Sequence, residues 1–206
     1  MKILLTGFNA FGTVKVNPSQ LIVEHFAANP PDGIDLITEV LPTEFEAAGN
    51  RIRALIRQHL PDAVLCLGVA QKRDKINLEG VARNINIAEI PDNSGKMLSG
   101  KKIVEDGADI YHSTLPLTQL QDALTERFIP VAISDNAGGY VCNHVFYSAR
   151  HEIEQRKMQI PCGFIHVPRI AEQEGELGLS LRVMVTAVRG CLEVLVSPAK
   201  VDANTD

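Results

Sequence analysis

The sequence predicts an α/β protein, with one three-layer domain in which helices cover both faces of a central, mostly parallel twisted sheet. The 206 residues fit a single domain, and a chain of this size buries enough surface to form a full hydrophobic core. Strand-length and helix-length segments alternate over most of the chain, which favours a largely parallel sheet. We find no internal repeat or linker, so one domain over 1–206 is expected, with a frayed polar tail at 197–206.

Short apolar runs predict the buried strands, and most of them end near a glycine or proline. They lie at 2–6, 34–41, 63–67, 131–134 and 163–167. The segment 75–90 alternates more nearly with period two, which predicts extended structure there.

Helical spacing predicts the elements between these strands. The segments are 18–28, 44–60, 117–128, 142–157 and 180–196. Asn17 before Pro18 is typical of a helix start, and Ser180 is expected to cap the last helix.

Composition excludes several functional classes. The formal charge is -5, from 20 Lys and Arg against 25 Asp and Glu. This balance argues against a nucleic-acid partner, which usually requires a basic face, and against an anionic membrane surface. No apolar run reaches the length of a membrane span, and the apolar stretch at the N-terminus is too short for a signal peptide.

We therefore expect a cytoplasmic protein, in which the cysteines Cys66, Cys142, Cys162 and Cys191 are reduced thiols. The sequence has no pair of cysteines spaced as C-x-x-C, and no motif implies a metal or cofactor.

Cys142 is a candidate nucleophile because it follows Gly138-Gly139 and opens a predicted helix. The free N–H groups and positive dipole end of a helix start stabilise a thiolate, and they can also hold an oxyanion during acyl transfer. The alternative is a small buried core cysteine, and on position alone we weigh the two equally. For Cys66, Cys162 and Cys191 we expect structural roles.

His166 is a candidate general base because it ends an apolar strand just before Pro168, at the sheet edge where Cys142 should lie. The alternative is a histidine that is hydrogen-bonded within a loop. His144 is closer to Cys142 in sequence, but residues two apart on a helix do not face each other. A third group should orient the base, and spacing alone leaves four acids open: Asp74, Glu79, Glu89 and Asp92.

Several blocks of the chain resemble pyrrolidone-carboxylate peptidases, also called pyroglutamyl peptidases of type I. The most specific blocks are Gly139-Tyr140-Val141-Cys142-Asn143-His144 and Gly163-Phe164-Ile165-His166-Val167-Pro168. Others begin at Thr6, Val16, Val64, Ile90 and Ser113, and together the blocks extend over residues 1 to about 170 in the order of the family.

The resemblance implies a cysteine peptidase that removes an N-terminal pyroglutamyl residue from peptides and that forms a homo-oligomer such as a tetramer. It implies Cys142 as nucleophile, His166 as general base and Glu79 as the orienting carboxylate. The residues implied for the substrate pocket are Phe8, Phe11, Asn17, Val69 and Val141. A pyroglutamyl ring is small and mostly apolar, so two phenylalanine rings and one amide would suit it.

The chain departs from the family pattern at three positions near this site. Val69, Gly80 and Glu89 stand where the family usually has Gln, Arg and Arg. A glutamate near a developing oxyanion would oppose it, and Arg83 is the nearest arginine that would compensate. Two alternatives follow: a related thiol amidohydrolase with a shifted preference for another small acyl group, and a catalytically weakened relative that binds peptides.

Overall fold

The computed structural model describes residues 1–171 and 178–197. The strands are β1 (Lys2–Phe8), β2 (Asp35–Leu41), β3 (Ala63–Val69), β4 (Ile76–Glu79), β5 (Val81–Arg83), β6 (Asn86–Ile87), β7 (Ser99–Lys101), β8 (Ile110–His112), β9 (Val131–Ser134) and β10 (Cys162–Val167). The helices are α1 (Pro18–Ala28), α2 (Phe45–His59), α3 (Leu117–Thr125), α4 (Val141–Gln155) and α5 (Leu181–Val196).

Six strands form the central sheet in the order β2-β1-β3-β10-β4-β9. The first four are mutually parallel, whereas β4 runs antiparallel to β10 and β9 runs parallel to β4. The predicted α/β class with a mostly parallel sheet is therefore confirmed. The reversal at β4 follows from the chain: only residues 70–75 separate it from β3, and a parallel return needs a longer crossover.

Helices cover both faces of this sheet, and we call them the first layer (α1, α3, α5) and the second layer (α2, α4). Successive strand residues point to opposite faces, so Ile3 and Leu5 join the first layer while Leu4 joins the second. Leu192 of α5 lies in the first cluster, and Ile52 of α2 lies in the second. Each helix is held mainly by the apolar stripe that it buries.

Both predicted helix starts are confirmed. Asn17 caps α1 by accepting a hydrogen bond from the Ser19 N–H at 3.1 Å, with Pro18 at the first helical position. Ser180 caps α5 by accepting from the Val183 N–H at 3.3 Å. These local signals depend on neighbouring residues only, which is why the sequence reveals them.

The segment predicted as extended at 75–90 forms β4, β5 and β6. Two small antiparallel pairs, β5 with β8 and β6 with β7, were not predicted. Among the described residues, no helix has the length and apolar character that crossing a membrane requires. The frayed tail predicted at 197–206 lies outside the described residues except for Ser197.

Candidate active site

A glycine in β3 makes room for the Cys142 thiol next to the strand that carries His166. Gly68 is the register partner of His166, so both residues face the second layer on strands about 4.8 Å apart. A Cβ at Gly68 would lie only 2.8 Å from Cys142 Sγ and 2.7 Å from Phe164 Cζ. The missing side chain therefore leaves room for the Cys142 thiol at the end of β3, next to the strand that carries His166.

Cys142 is the second residue of α4, and it lies at a helix end with free donors. The N-cap residue Tyr140 makes no side-chain capping bond, so the first N–H groups of α4 remain available to another acceptor. Burial, together with the negative charge of Glu79, raises the pKa of the Cys142 thiol to about 12. At neutral pH the resting side chain is a protonated thiol that needs a base before it can attack.

The imidazole of His166 is held by a carboxylate in the neighbouring strand. Nδ1 of His166 lies 2.8 Å from Oε1 of Glu79, which is fully buried at the end of β4. An ionised carboxylate only accepts hydrogen bonds, so Nδ1 carries the proton and donates it. This tautomer leaves Nε2 free of hydrogen and able to accept the thiol proton.

A second group that the sequence reading missed also binds Glu79. Nη1 of Arg73 donates to the same Oε1 at 2.6 Å, and Nη2 donates to the Asn136 carbonyl at 2.8 Å. Arg73 belongs to the turn that directly follows β3, at the same edge of the sheet as His166. A cation in that turn was the available signal, but spacing did not connect it to Glu79.

Cys142 and His166 open onto one cavity of about 660 Å³. One part of its wall is apolar, formed by Phe11, Val69, Ile85, Ile87 and Ile90. Its cationic side chains are Lys72, Arg73, Arg83 and Arg169, and Glu89 also lines it. Arginines therefore line the cavity even though positions 80 and 89 carry glycine and glutamate where the family usually has arginine. Arg83, which we expected to compensate, is one of them.

The residues that resemblance implied for the pocket divide into two groups. Phe11 and Val69 line the cavity, whereas Phe8, Asn17 and Val141 are outside its described wall. Phe8 and Val141 are buried in the cluster under the second layer. The Asn17 amide is used inside the protein, because Oδ1 accepts from Ser19 and Nδ2 donates to the Asn9 carbonyl at 3.1 Å.

The acids left open by spacing are separated by their contacts. Glu79 binds His166, whereas Asp92 accepts hydrogen bonds from Phe45 N at 2.9 Å and from the turn that follows it. Asp74 is exposed and lies 3.9 Å from Lys75. Spacing alone could not select Glu79, because its contact with His166 depends on the pairing of β4 with β10; the family resemblance had implied Glu79 for this role.

His144 has a structural environment, as expected from its helical position. Its Nδ1 lies 2.9 Å from the Asn86 side-chain oxygen, and its ring packs edge-on against Phe45 at 5.7 Å. Desolvation lowers the pKa of His144 to about 4. Cys66, Cys162 and Cys191 are free and buried, and burial raises the pKa of each thiol.

A thiol at a helix start, an imidazole and a buried carboxylate around one cavity are the side chains that cysteine hydrolases use. Comparison with known proteins makes the class more specific. The family model described as pyroglutamyl peptidase matches residues 1–197. The chain belongs to the pyroglutamyl peptidase family.

Individual relatives agree over nearly the whole chain. A pyrrolidone-carboxylate peptidase of Oceanobacillus iheyensis is 42% identical, covering 81% of this chain and 83% of that protein. One of Streptomyces coelicolor is 37% identical over 100% of this chain and 95% of its own.

Among solved structures, the pyroglutamyl peptidase I of Bacillus amyloliquefaciens superposes with a TM-score of 0.89 at 36% identity, covering 94% of both chains. The pyrrolidone carboxyl peptidase of Pyrococcus furiosus gives a TM-score of 0.91 at 33% identity, covering 95% of this chain and 98% of the other.

Proposed function

We propose that this protein is a cysteine exopeptidase that removes an N-terminal pyroglutamyl residue from peptides, with Cys142 as nucleophile, His166 as general base and Glu79 as orienting carboxylate. The observation that carries the proposal is the convergence of these side chains: a thiol and an imidazole on one cavity, with the imidazole fixed by a buried carboxylate. Membership of the pyroglutamyl peptidase family supports the substrate class.

In the first half of the reaction, Nε2 of His166 takes the thiol proton while Cys142 Sγ attacks the pyroglutamyl carbonyl carbon. A general base is needed because the thiol pKa of about 12 leaves little thiolate at neutral pH. The N–H groups at the start of α4 stabilise the oxyanion. The carbon–nitrogen bond then breaks, the leaving amine takes the proton from Nε2, and a thioester remains on Cys142.

In the second half, water attacks the thioester and gives its proton to Nε2 of His166. The carbon–sulfur bond breaks, pyroglutamate leaves, and the proton returns to the sulfur of Cys142. Glu79 stabilises the positive charge that His166 carries in both halves, since it accepts from Nδ1 throughout.

The substrate fits the wall of the cavity. A pyroglutamyl ring carries no charge and only one N–H and one C=O, so it suits the apolar part near Phe11, Val69 and Ile87. Position 69 is valine, which supplies no polar atom toward the ring. The ring's polar groups would therefore bind other atoms of the cavity wall.

We also propose that the protein acts in the cytoplasm as a homo-oligomer. Four free thiols suit a reducing compartment. An exposed aromatic residue, Phe128, and other exposed apolar side chains such as Met97 offer surface for subunit contacts. Light scattering on the purified protein tests the oligomer, and a monomer at micromolar concentration would contradict it.

The experiment that tests the function compares hydrolysis of a pyroglutamyl chromogenic amide by the wild type, Cys142→Ser and Cys191→Ala. The wild type and Cys191→Ala should turn over, and Cys142→Ser should not. Cys191 is the matched control because its thiol is buried in α5, under the first layer. A panel of other acyl amides completes the test: preference for another acyl group, or no turnover at all, would contradict the proposal.

A further inference from the structure

Arg73 joins the two segments of the chain that carry the proposed reaction centre. Its Nη1 donates to Oε1 of Glu79, the oxygen that also accepts from His166, and its Nη2 donates to the Asn136 carbonyl. Glu79 ends β4, and Asn136 lies in the connection from β9 to α4 that leads to Cys142. One guanidinium therefore contacts both the support of the base and the segment before the nucleophile.

The turn that carries Arg73 is itself fixed over the end of β10. The Ala70 N–H donates to the Val167 carbonyl at 2.9 Å, and the Arg73 N–H donates to the Ala70 carbonyl at 3.1 Å. This geometry places the turn directly beyond His166 in the strand. The Arg73 side chain is 27% exposed, so it reaches from the cavity wall inward to a carboxylate that is fully buried.

The charge of Arg73 has a direct effect on Glu79. A fully buried carboxylate is costly unless it is paired, and among the described residues Oε2 of Glu79 has no hydrogen-bond partner. Oε1 accepts from His166 and from Arg73, and Arg73 is the partner that always carries a positive charge. Without it, the fully buried carboxylate would keep His166 as its one hydrogen-bond partner among the described residues, and an uncompensated buried charge is costly.

Arg73 also restrains the segment before Cys142. The connection contains Gly138 and Gly139, which allow a sharp turn but add flexibility. Other hydrogen bonds also hold this connection. The Gly138 N–H donates to the Asn136 side chain at 3.0 Å, and the Ile87 N–H donates to the Gly139 carbonyl at 2.7 Å. The bond from Arg73 connects this segment directly to the side chain of Glu79, in addition to the pairing of Ser134 with Glu79 in the sheet.

We propose that Arg73 is a positioning residue for the reaction: it holds the Glu79 carboxylate behind His166 and sets the segment that delivers Cys142. This inference rests on the proposed peptidase activity. Arg73 is assigned no contact with the substrate, so its loss should lower kcat rather than raise KM. A lysine would keep the charge but has one nitrogen, which cannot make both bonds as the planar guanidinium does.

The test measures kcat and KM for a pyroglutamyl chromogenic amide with Arg73→Ala, Arg73→Lys and Arg51→Ala. Arg51 is the matched control because it pairs with Glu39 at 2.8 Å on the surface, away from the cavity. We expect Arg73→Ala to lower kcat by about 10- to 100-fold, the size of effect that a misplaced catalytic group produces, with KM changed less than about threefold. The kcat of Arg73→Lys should lie between that of Arg73→Ala and that of the wild type.

Added guanidinium, at concentrations that leave the protein folded, should restore part of the kcat of Arg73→Ala and should not raise that of the wild type. A loss of kcat caused only by a damaged fold would not be restored by guanidinium. A wild-type kcat in Arg73→Ala overturns the inference, and so does a loss that neither guanidinium nor lysine reduces. Failure of the peptidase proposal is distinct, because it would appear as absence of turnover in the wild type.

Discussion

The two helical layers bury different kinds of side chain. The first layer packs an almost wholly aliphatic cluster against the sheet, including Leu5, Leu192 and Val188. The second layer buries polar groups as well, among them Asn143 and Glu152 of α4, and each has defined partners. Glu152, for example, accepts from Arg57 at 2.8 and 2.7 Å.

This difference shows where the fold provides stability and where it provides chemistry. An aliphatic face tolerates changes of shape and supplies no acid, base or nucleophile. A face with buried polar groups needs every partner in place, since an unpaired buried group costs free energy. The candidate active site lies on the second face, so changes there should alter turnover more than stability, and changes on the first face should do the reverse.

The largest effect should come from Glu79→Gln, which separates two roles of one charge. Turnover should fall by about 10³- to 10⁴-fold, because the imidazolium loses its carboxylate. The thiol should nevertheless become more reactive: the negative charge of Glu79 raises the pKa of Cys142, so its removal increases the thiolate fraction at a fixed pH.

Alkylation by iodoacetamide at pH 8, followed by mass spectrometry, measures the second effect. The cysteines Cys66, Cys162 and Cys191 are buried and serve as internal controls. If Glu79→Gln slows both alkylation and turnover, the assigned roles are wrong.

The next effect compares the two faces directly by adding the same methyl group to each. Gly68→Ala places a Cβ 2.8 Å from Cys142 Sγ, and we expect kcat to fall by about 100-fold as the thiol is displaced. Gly163→Ala is the matched variant, because its Cβ would contact Leu115 and Ser113 at 2.5 Å instead.

Both variants should lose stability, which thermal unfolding measures. Gly163→Ala should keep the kcat of the wild type per folded molecule. Equal kcat losses in the two variants would remove the distinction between the faces.

The smallest effect concerns acid stability and the second layer alone. Burial lowers the pKa of His144 to about 4, so the folded state keeps it neutral while the unfolded chain takes up a proton below pH 6.5. The contribution of neutral His144 to the free energy of unfolding is therefore complete above pH 6.5. It falls by about 3 kcal/mol as the pH drops from 6.5 to 4.

Urea unfolding at pH 7 and pH 4 measures this loss. His144→Gln should lose about 3 kcal/mol less than the wild type over that interval, whereas a variant of the exposed His112 should behave as the wild type does. Identical losses in the wild type and His144→Gln would contradict the assigned burial effect.

Local signals made much of the fold predictable. The caps at Asn17 and Ser180 and the apolar strands could be predicted from residues that are close in sequence. Cys142 and His166 were chosen as candidate site residues because they lie at the ends of elements. The pairing of β4 with β10 was not readable, because it joins strands that lie far apart along the chain. Glu79 meets His166 only through that pairing, and Arg73 in turn binds Glu79, so spacing left the first open and missed the second.

The side chains implied for the pocket show the same limit. Phe8 and Phe11 are equivalent as aromatic residues in the sequence, but Phe8 is still within β1 and its alternation turns it into the core. Phe11 lies beyond the strand and lines the cavity. Asn17 was predicted both as a cap and as a substrate contact; its Oδ1 makes the cap, its Nδ2 donates to the Asn9 carbonyl, and the substrate contact stays a prediction.

The most direct test of the central claim is covalent labelling with a pyroglutamyl chloromethyl ketone. The reagent labels the enzyme quickly only if the protein binds its pyroglutamyl ring and holds a reactive thiol next to it. The thiol displaces chloride, which leaves a carbon–sulfur bond between the reagent and the enzyme. Our account predicts one label per chain, on Cys142, with activity lost in proportion, and much slower labelling by the acetyl analogue. Labelling at another residue, or equal rates for the two reagents, would contradict it.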